Sequence, residues 1–301
     1  MRTVCVYAYI HNNFDRYMIQ SPTCKHIKWA IAGRSESKLN TIRQELSISE
    51  KVPTYIADAN NCESLNQCFG KAKLVLNCTG PYRFLGEPVV KACVESGSHY
   101  MDICGEPQFI EDMFLKYHDA ACAANVLILH ACAFDSVPAD LGFLYTMRQY
   151  KDSALCSSVE SFLSVKTGAS GMAGHYTTYE CAVHGMGDVA SLHTIRKEAQ
   201  SKYNPPKITF SGEKLERVGS VAYNDHVDEY IIPFMGADAA IVRSTARSVA
   251  MEKQNAGSES SAEFIWPQYA AYACIGDAWT NVATMSLYGM VYDMMLSMAL
   301  V

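Results

Sequence analysis

The chain has 301 residues, of which 49% are hydrophobic and 19% are charged, and its net charge is −6. This composition is typical of a globular protein large enough for two domains, and it excludes a disordered chain. Because the balance is acidic and no basic stripe occurs, it also argues against nucleic-acid binding.

The first half of the chain alternates apolar runs with helical patterns. Strands are predicted over 26–33, 52–59, 73–79, 98–104 and 126–133, and helices over 35–46, 62–70, 86–97 and 107–125. The strands are continuously apolar, as parallel strands covered on both faces are. Residues 1–134 are therefore predicted to form an α/β domain with a doubly wound parallel sheet (Rossmann-like).

Single residues mark the ends of these helices. Ser35 is placed to cap the helix that follows it, and Gly97 ends the helix that precedes it. Pro88 suits a first helical turn, which is why that helix is predicted to begin at residue 86.

The pattern changes after Gly142. Strands over 157–166 and 228–236, helices over 177–189 and 237–251, and loops over 201–216 and 254–263 predict an α+β second domain. We assign 135–273 to it, as a substrate or dimerisation domain, so a homodimer is one candidate assembly.

The segment 274–301 is rich in Met, Leu, Val and Ala, but Asp277 and Asp293 interrupt it. An uninterrupted span of about 20 apolar residues is therefore absent, which argues against an isolated spanning helix. A membrane-surface segment and an ordinary core helix both remain open.

Twelve cysteines are spread through apolar segments, and no CxxC pair occurs. The start of the chain lacks a signal-peptide pattern, so reduced thiols and an intracellular location are expected.

In open α/β sheets, ligands bind at the carboxyl ends of the strands. Arg34 and Ser35 follow the first of the five predicted strands, where an arginine accommodates the 2′-phosphate of NADP(H). Asp58 lies at the end of the next strand (52–59) and can accept from the adenine amine. Arg34 could equally be a solvated arginine at a helix start, and Asp58 could cap the next helix.

The strand that ends at Thr79 is followed by Gly80 and Pro81. Gly80 allows a close approach of backbone to a ligand, so these three residues are predicted to line the nicotinamide half of the cofactor. The following helix N-terminus adds a weak positive end.

Acidic residues lie at the ends of the next two strands. Asp102 is in the last positions of the strand 98–104 with Glu106 just beyond it, and Asp135 lies in the loop after the strand 126–133. Asp135 is our candidate for acid–base catalysis, although each of these acids could instead hold a loop.

Two rival constellations are weak. His175, His184 and His193 recur every nine residues, which puts successive histidines on opposite faces of a helix or a strand, so no metal site is predicted. The stretch 168–172 misses a nucleophile elbow because position 172 is methionine.

Seven blocks of this sequence closely resemble the saccharopine dehydrogenase-like oxidoreductase family. They are WAIAGRS (29–35), VLNCTGPYRFLGEPVVKAC (75–93), YMDICGEPQFI (100–110), FDSVPADLG (134–142), ESFLSVKTG (160–168), IPFMGAD (232–238) and PQYAAY (267–272).

The resemblance implies a Rossmann NADP-binding domain followed by an α/β domain. It also implies a small-molecule or lipid-like substrate, since relatives include saccharopine dehydrogenases of lysine metabolism and bacterial trans-acting enoyl reductases of glycolipid synthesis. Animal members of the subgroup are associated with lipid droplets and membranes. The resemblance therefore favours lipid metabolism, and it favours membrane contact for 274–301.

The sequence departs from the family in two places. The family places a glycine-rich turn after its first strand, whereas residues 1–25 contain no glycine. Residues 3–10 can still supply the strand, but the close approach that glycines give a pyrophosphate is lost, which weakens the expectation of cofactor binding. The family also continues past the length of this chain.

Three functions follow from these observations. The first is an NADP(H)-linked oxidoreductase with a lipid-related or unassigned substrate. The second is a non-catalytic scaffold on membranes or lipid droplets that keeps the fold without binding the cofactor. A saccharopine-forming enzyme is least favoured, because no basic cluster for a dicarboxylate substrate stands out.

Overall fold

The computed structural model describes residues 3–8, 17–150, 156–169, 171, 176–187, 189–255 and 264–278. The chain forms two compact units. The first takes in residues 1–137 and 174–204, and the second takes in residues 138–173 and 205–301.

The first unit is built on a six-stranded parallel sheet. Its strands are β1 (Thr3–Ala8), β2 (Trp29–Gly33), β3 (Thr54–Ile56), β4 (Ala72–Cys78), β5 (His99–Asp102) and β6 (Ile128–Leu129). The strand order is β3-β2-β1-β4-β5-β6. This order confirms the doubly wound sheet, with its topological switch point between β1 and β4.

Helices cover this sheet. They are α1 (Glu36–Glu45), α2 (Cys62–Phe69), α3 (Tyr82–Ser96) and α4 (Pro107–Ala123). The apolar face of α1 packs on β2 through Leu39, Ile42 and Ile31, each less than 9% exposed. Each such side chain stabilises the fold by about 1.5–3 kcal/mol relative to an exposed position.

The helix ends follow the capping residues. Ser35 accepts a hydrogen bond from the Lys38 amide and caps α1 as predicted. Asn61 caps α2 in the same way through the Ser64 amide. Gly97 ends α3 in the left-handed conformation at φ 67°, which a glycine adopts at little cost.

Helix α3 begins four residues earlier than predicted, at Tyr82 and not at residue 86. Pro88 is therefore inside the helix and not in its first turn. The reason lies elsewhere in the chain, because the carboxylate of Glu106 accepts from the backbone amides of Tyr82 and Arg83 at distances of 2.8 and 3.4 Å. These contacts satisfy two of the amides that a helix start leaves unpaired.

Residues 176–203 return to the first unit as α6 (Tyr176–Gly187) and α7 (Val189–Tyr203). Helix α7 packs on α4, where Arg196 forms an ion pair with Glu111 at 2.6 Å. The predicted boundary after residue 134 therefore does not separate the two units along the chain. The predicted loop 201–216 also differs, since it holds the end of α7 and the strand β8 (Ile208–Phe210).

The second unit is α+β. Its strands, besides β8, are β7 (Ser158–Leu163), β9 (Ala222–Asn224), β10 (Glu229–Pro233), β11 (Phe264–Trp266) and β12 (Gln268–Cys274). A four-stranded sheet has the order β7-β12-β10-β9, and a two-stranded sheet pairs β11 with β8. Helices α5 (Val137–Gln149) and α8 (Asp238–Asn255) supply Phe143 and Val242 to a core with Trp266 and Tyr269.

Two further predictions concern the cysteines and the tail. The cysteines from Cys24 onward within the described ranges are free thiols. No helix in those ranges is both long and apolar enough to cross a membrane. Most of the 274–301 segment and of the 254–263 loop lies outside the described residues.

Candidate functional site

The candidate site is the carboxyl edge of the parallel sheet in the first unit. All six strands run in the same direction, so the residues after β2, β3, β4, β5 and β6 meet along one edge. The turn after β1, which contains the glycine-free stretch, lies mainly outside the described residues.

Arg34, Ser35 and Asp58 lie at this edge. The Arg34 side chain is exposed directly after β2. Ser35 is engaged in capping α1, and the Asp58 carboxylate accepts from the amide of Asn60 at 2.9 Å. The Ser35 and Asp58 side chains therefore also shape their own turns, and contacts with a cofactor stay predictions for all three.

Thr79, Gly80 and Pro81 follow β4 at the neighbouring position. The Thr79 hydroxyl is buried and donates to Asn77 Oδ1 at 2.6 Å, so it points into the sheet. The Gly80–Pro81 peptide bond is cis. A Cβ atom at Gly80 would lie 3.2 Å from Thr177 Cγ2, so this close approach of backbone to α6 favours glycine.

Glu106 directly precedes α4, and its side-chain carboxylate lies at the start of α3. Its side chain is 5% exposed and forms an ion pair with Arg83 in addition to its bonds with the amides of Tyr82 and Arg83. The predicted positive end of this helix is therefore already neutralised by a carboxylate from the same unit. This finding corrects the expectation that the α3 N-terminus attracts a ligand's negative charge.

A buried polar network crosses the carboxyl ends of β4, β5 and β6. Asn77 Nδ2 donates to the Tyr100 hydroxyl at 3.1 Å, and that hydroxyl donates to Asp102 Oδ2 at 2.8 Å. The same oxygen lies 2.6 Å from His130 Nδ1. Since a carboxylate only accepts, Nδ1 of His130 is assigned as the donor.

Asp102 holds this network in place. Its second oxygen accepts from the amides of Cys104 at 3.0 Å and Ala131 at 2.9 Å. The carboxylate thus has four donors although its side chain is 0% exposed. A buried charge is tolerated only when it is paired and hydrogen-bonded in this way.

Burial sets the protonation of the neighbouring groups. It raises the pKa of the Tyr100 hydroxyl, and the charge of Asp102 raises it further, so Tyr100 remains a neutral donor. Burial also raises the pKa of the Cys181 thiol to about 12, with a further contribution from Glu106. Burial likewise raises the pKa of Cys132, to about 11. These thiols are protonated at neutral pH and are poor nucleophiles.

Asp135 lies in the loop after β6. Its Oδ1 accepts from the Ser136 hydroxyl at 2.8 Å, and a Cβ atom added to Gly105 would lie 2.9 Å from its Oδ2. The peptide bond between Asp135 and Ser136 is cis. The acid–base role of Asp135 stays a prediction.

No group of three or more potential metal ligands occurs within the described ranges. His184 lies on α6, where its ring contacts Phe84 at 5.1 Å between ring centres. His193 lies on α7, and His175 is outside the described residues.

Sequence reasoning missed His130 and Tyr100. His130 is the last residue before a loop, and nothing in its neighbourhood along the chain marks it. The available signal was that Asp102 ends β5 and His130 directly follows β6, since adjacent parallel strands bring such positions together. That pairing depends on a register that the sequence does not give.

The described residues fit a nicotinamide dinucleotide phosphate in their chemistry. A guanidinium follows β2, as a 2′-phosphate requires, and a carboxylate follows β3, as the adenine amine requires. A tightly packed Gly80 follows β4 beside the switch point. The cofactor would supply hydride chemistry at this edge.

This chain is similar in sequence to known NADP-binding and oxidoreductase proteins. Residues 18–129 match the family model described as the saccharopine dehydrogenase NADP binding domain. A saccharopine dehydrogenase-like oxidoreductase of Mus musculus is 39% identical over 94% of this chain and 64% of its own length. The chain thus spans less than two thirds of that relative.

Two more distant relatives carry names that refer to a location. A lipid droplet localized protein of Caenorhabditis elegans is 33% identical over 79% of this chain and 57% of its own length. An Arabidopsis thaliana protein named "Probable mitochondrial saccharopine dehydrogenase-like oxidoreductase" is 32% identical over 90% of this chain and 60% of its own length.

Proposed function

Because this chain belongs to the saccharopine dehydrogenase-like oxidoreductase family, we propose that it is an NADP(H)-linked oxidoreductase acting on a small, lipid-like substrate. The observation that carries the proposal is the exposed Arg34 directly after β2, inside the region that matches an NADP-binding domain. An arginine at this position suits the phosphate that distinguishes NADP(H) from NAD(H).

The residues at the sheet edge would divide the work of binding. Arg34 and Ser35 would hold the 2′-phosphate, and Asp58 would accept from the adenine amine. Thr79, Gly80 and Pro81, which follow β4 beside the switch point, would line the nicotinamide half. The bound cofactor would exchange a hydride with a C=C or C=N bond of the substrate.

The test is a titration of the purified chain with NADPH and NADH, followed by nicotinamide fluorescence. We expect tighter binding of NADPH, and we expect Arg34→Asp to weaken NADPH about 10- to 100-fold while sparing NADH. The reason is that a hydrogen bond between charged groups contributes about 1.5–3 kcal/mol.

Lys28→Asp is the matched control. Lys28 precedes β2 at the opposite edge of the sheet and is also exposed, so the same change of charge there should leave the ratio of the two affinities unchanged. An unchanged ratio in Arg34→Asp would remove Arg34 from the 2′-phosphate site.

A second candidate function is a scaffold that keeps the fold without binding the cofactor. The absence of glycine from residues 1–25 supports it, because a pyrophosphate needs close backbone approach at this turn. A cooperatively folded chain that binds neither NADPH nor NADH would favour the scaffold over the oxidoreductase.

A lipid-related role is supported by the relative from C. elegans and by the apolar composition of residues 274–301. We place this segment at a lipid surface. The plant relative, whose name refers to mitochondria, supports a different location, so a measurement has to decide between them.

A further inference from the structure

We propose that His130, held by the buried carboxylate of Asp102, is the proton donor and acceptor of this site. The inference rests on the proposed oxidoreductase function and adds the group that moves the proton. Three observations carry it: the orientation of the imidazole, the state of its second nitrogen, and its place on the sheet.

The orientation of His130 is fixed from several sides. Its Nδ1 lies 2.6 Å from Asp102 Oδ2, and its ring packs edge-on against Tyr100 and Phe109, with 5.5 Å between ring centres in each case. A carboxylate that holds one nitrogen of a histidine fixes the tautomer and leaves Nε2 for chemistry.

The second ring nitrogen of His130, Nε2, indicates whether this residue can transfer a proton. Within the described part of the chain, Nε2 of His130 has no recorded hydrogen-bond partner. It is also not one of the buried polar atoms that lack a partner, although the side chain is only 9% exposed. A histidine that serves packing alone would have both nitrogens hydrogen-bonded or fully enclosed, whereas Nε2 of His130 is neither.

The place on the sheet matches the proposed reaction. His130 directly follows β6, and the network from Asn77 through Tyr100 and Asp102 reaches back to β4, beside the switch point. Neighbouring strands are about 4.8 Å apart, so His130 lies about 10 Å along the edge from the end of β4. That distance is compatible with a substrate lying between His130 and a nicotinamide over β4.

The step is a paired transfer. His130 Nε2 would donate its proton to one atom of the substrate C=C or C=N bond, and the bound cofactor would supply the hydride for the other atom. The electron pair of that N–H bond stays on Nε2, so the imidazolium becomes a neutral imidazole while Nδ1–H remains bonded to Asp102. Water then returns the proton, and in the reverse direction His130 accepts it.

The neighbouring groups are less suited to this step. Tyr100 donates inward to Asp102 and is fully buried, and the Cys181 thiol faces Glu106. Asp135 is the rival, since its carboxylate also lies at this edge. The experiments therefore include Asp135→Asn beside the His130 variants.

The first experiment measures accessibility without turnover. The folded chain is treated with diethylpyrocarbonate, which carbethoxylates accessible neutral imidazoles, and the modified histidines are found by mass spectrometry. We expect modification of His130 that slows severalfold when NADPH is bound. His26 is the control, since it is exposed before β2 at the opposite edge of the sheet and should react equally with and without NADPH.

The outcomes separate the two proposals. If NADPH does not bind, the oxidoreductase function fails and the acid–base role fails with it. If NADPH binds but His130 reacts only after the chain is unfolded, His130 is a packing residue and this inference is overturned while the function stands. Protection of His130, with His26 unprotected, supports the inference.

The second experiment uses His130→Asn, whose side-chain amide can still donate to Asp102 but has no Nε2. With a 2-enoyl thioester as the probe substrate, we expect kcat to fall about 10²- to 10⁴-fold with KM and NADPH affinity unchanged. His130→Ala should regain activity with added imidazole. His99→Gln should behave as the native chain.

Equal kcat in His130→Asn and the native chain would overturn the inference. So would a loss in Asp135→Asn that is as large as expected for His130, combined with no imidazole rescue of His130→Ala. In that case the proton would be assigned to Asp135. Melting temperatures of all variants identify any loss that is due to unfolding.

Discussion

Asp102 and Glu106 are two buried carboxylates four residues apart that perform different tasks. Asp102 ties the end of β5 to the loop after β6 through the amides of Cys104 and Ala131, and it holds the ring of His130. Glu106 closes the start of α3. In the sequence both residues are simply acids near the end of the same strand. Their different structural roles depend on which hydrogen-bond donors the fold brings to each carboxylate.

Asp140 offers a test of burial at a single residue. Burial raises the pKa of its carboxyl group, and the hydrogen bond from Thr245 only partly opposes this. A carboxyl group whose pKa is raised by folding lowers stability while it is ionised, and the effect disappears as the pH falls through the raised pKa toward its ordinary value of about 3.9.

We therefore expect Asp140→Asn to raise the melting temperature at pH 7. Asparagine can still accept the hydrogen bond from Thr245, but it carries no charge. The difference from the native chain should shrink as the pH falls through the raised pKa and vanish below about 3.9, where Asp140 becomes protonated in both states. A difference that stays constant over this pH range would contradict the argument.

At the scale of the elements, two glycines with opposite roles allow a matched comparison. Gly97 ends α3 at φ 67°, and Gly142 lies inside α5 with an ordinary helical backbone. A Cβ atom would meet nothing within 4 Å at either position. The effect of adding one is therefore conformational and not steric.

We expect Gly97→Ala to lower the free energy of unfolding by about 1 kcal/mol, because alanine is disfavoured in the left-handed region. Gly142→Ala should raise it by about 0.5–1 kcal/mol, because alanine loses less freedom in a helix. Gly97→Asn should cost less than Gly97→Ala, since asparagine tolerates this region. Urea unfolding measures all three, and equal effects of the two alanines would refute the assignment.

The same scale shows why some element boundaries were predictable. The apolar runs that became β2, β4 and β5 are inner strands of the sheet and are mostly buried or half-buried, so composition alone marks them. The start of α3 was not predictable, because Pro88 suggests a first turn while the decisive contact comes from Glu106, more than 20 positions away.

At the scale of the whole molecule, the return of α6 and α7 to the first unit could not be read from the sequence. The contacts that hold α7 are an ion pair between Arg196 and Glu111 and a bond between Gln108 and Ser191, each joining residues more than 80 positions apart. For the same reason the positions of Arg34 and Gly80 were predictable from strand ends, whereas the bond between Asp102 and His130 needed the register of β5 against β6.

The tail gives a prediction for the whole chain. If residues 274–301 contact a lipid surface, introducing charge there should reduce flotation with lipid droplets, because a charged side chain is costly to place among acyl chains. We expect Met294→Glu with Leu296→Glu to shift the protein to the soluble fraction.

Ser258→Glu with Ser260→Glu is the control, since it adds the same charge to the polar 254–263 stretch. Flotation of both variants to the level of the native chain would remove the tail from lipid contact.

The contact between Gly86 and Phe109 constrains which amino-acid substitutions this protein can accept during evolution. A Cβ atom at Gly86 would lie 2.4 Å from the Phe109 ring, and that ring also contacts the rings of Tyr82 and His130. A methyl group at position 86 of α3 would therefore displace the Phe109 ring, and Phe109 would in turn displace the imidazole of His130. A larger residue at position 86 becomes permissible only after position 109 has become smaller, so the order of the two substitutions is constrained and the pair should be inherited together.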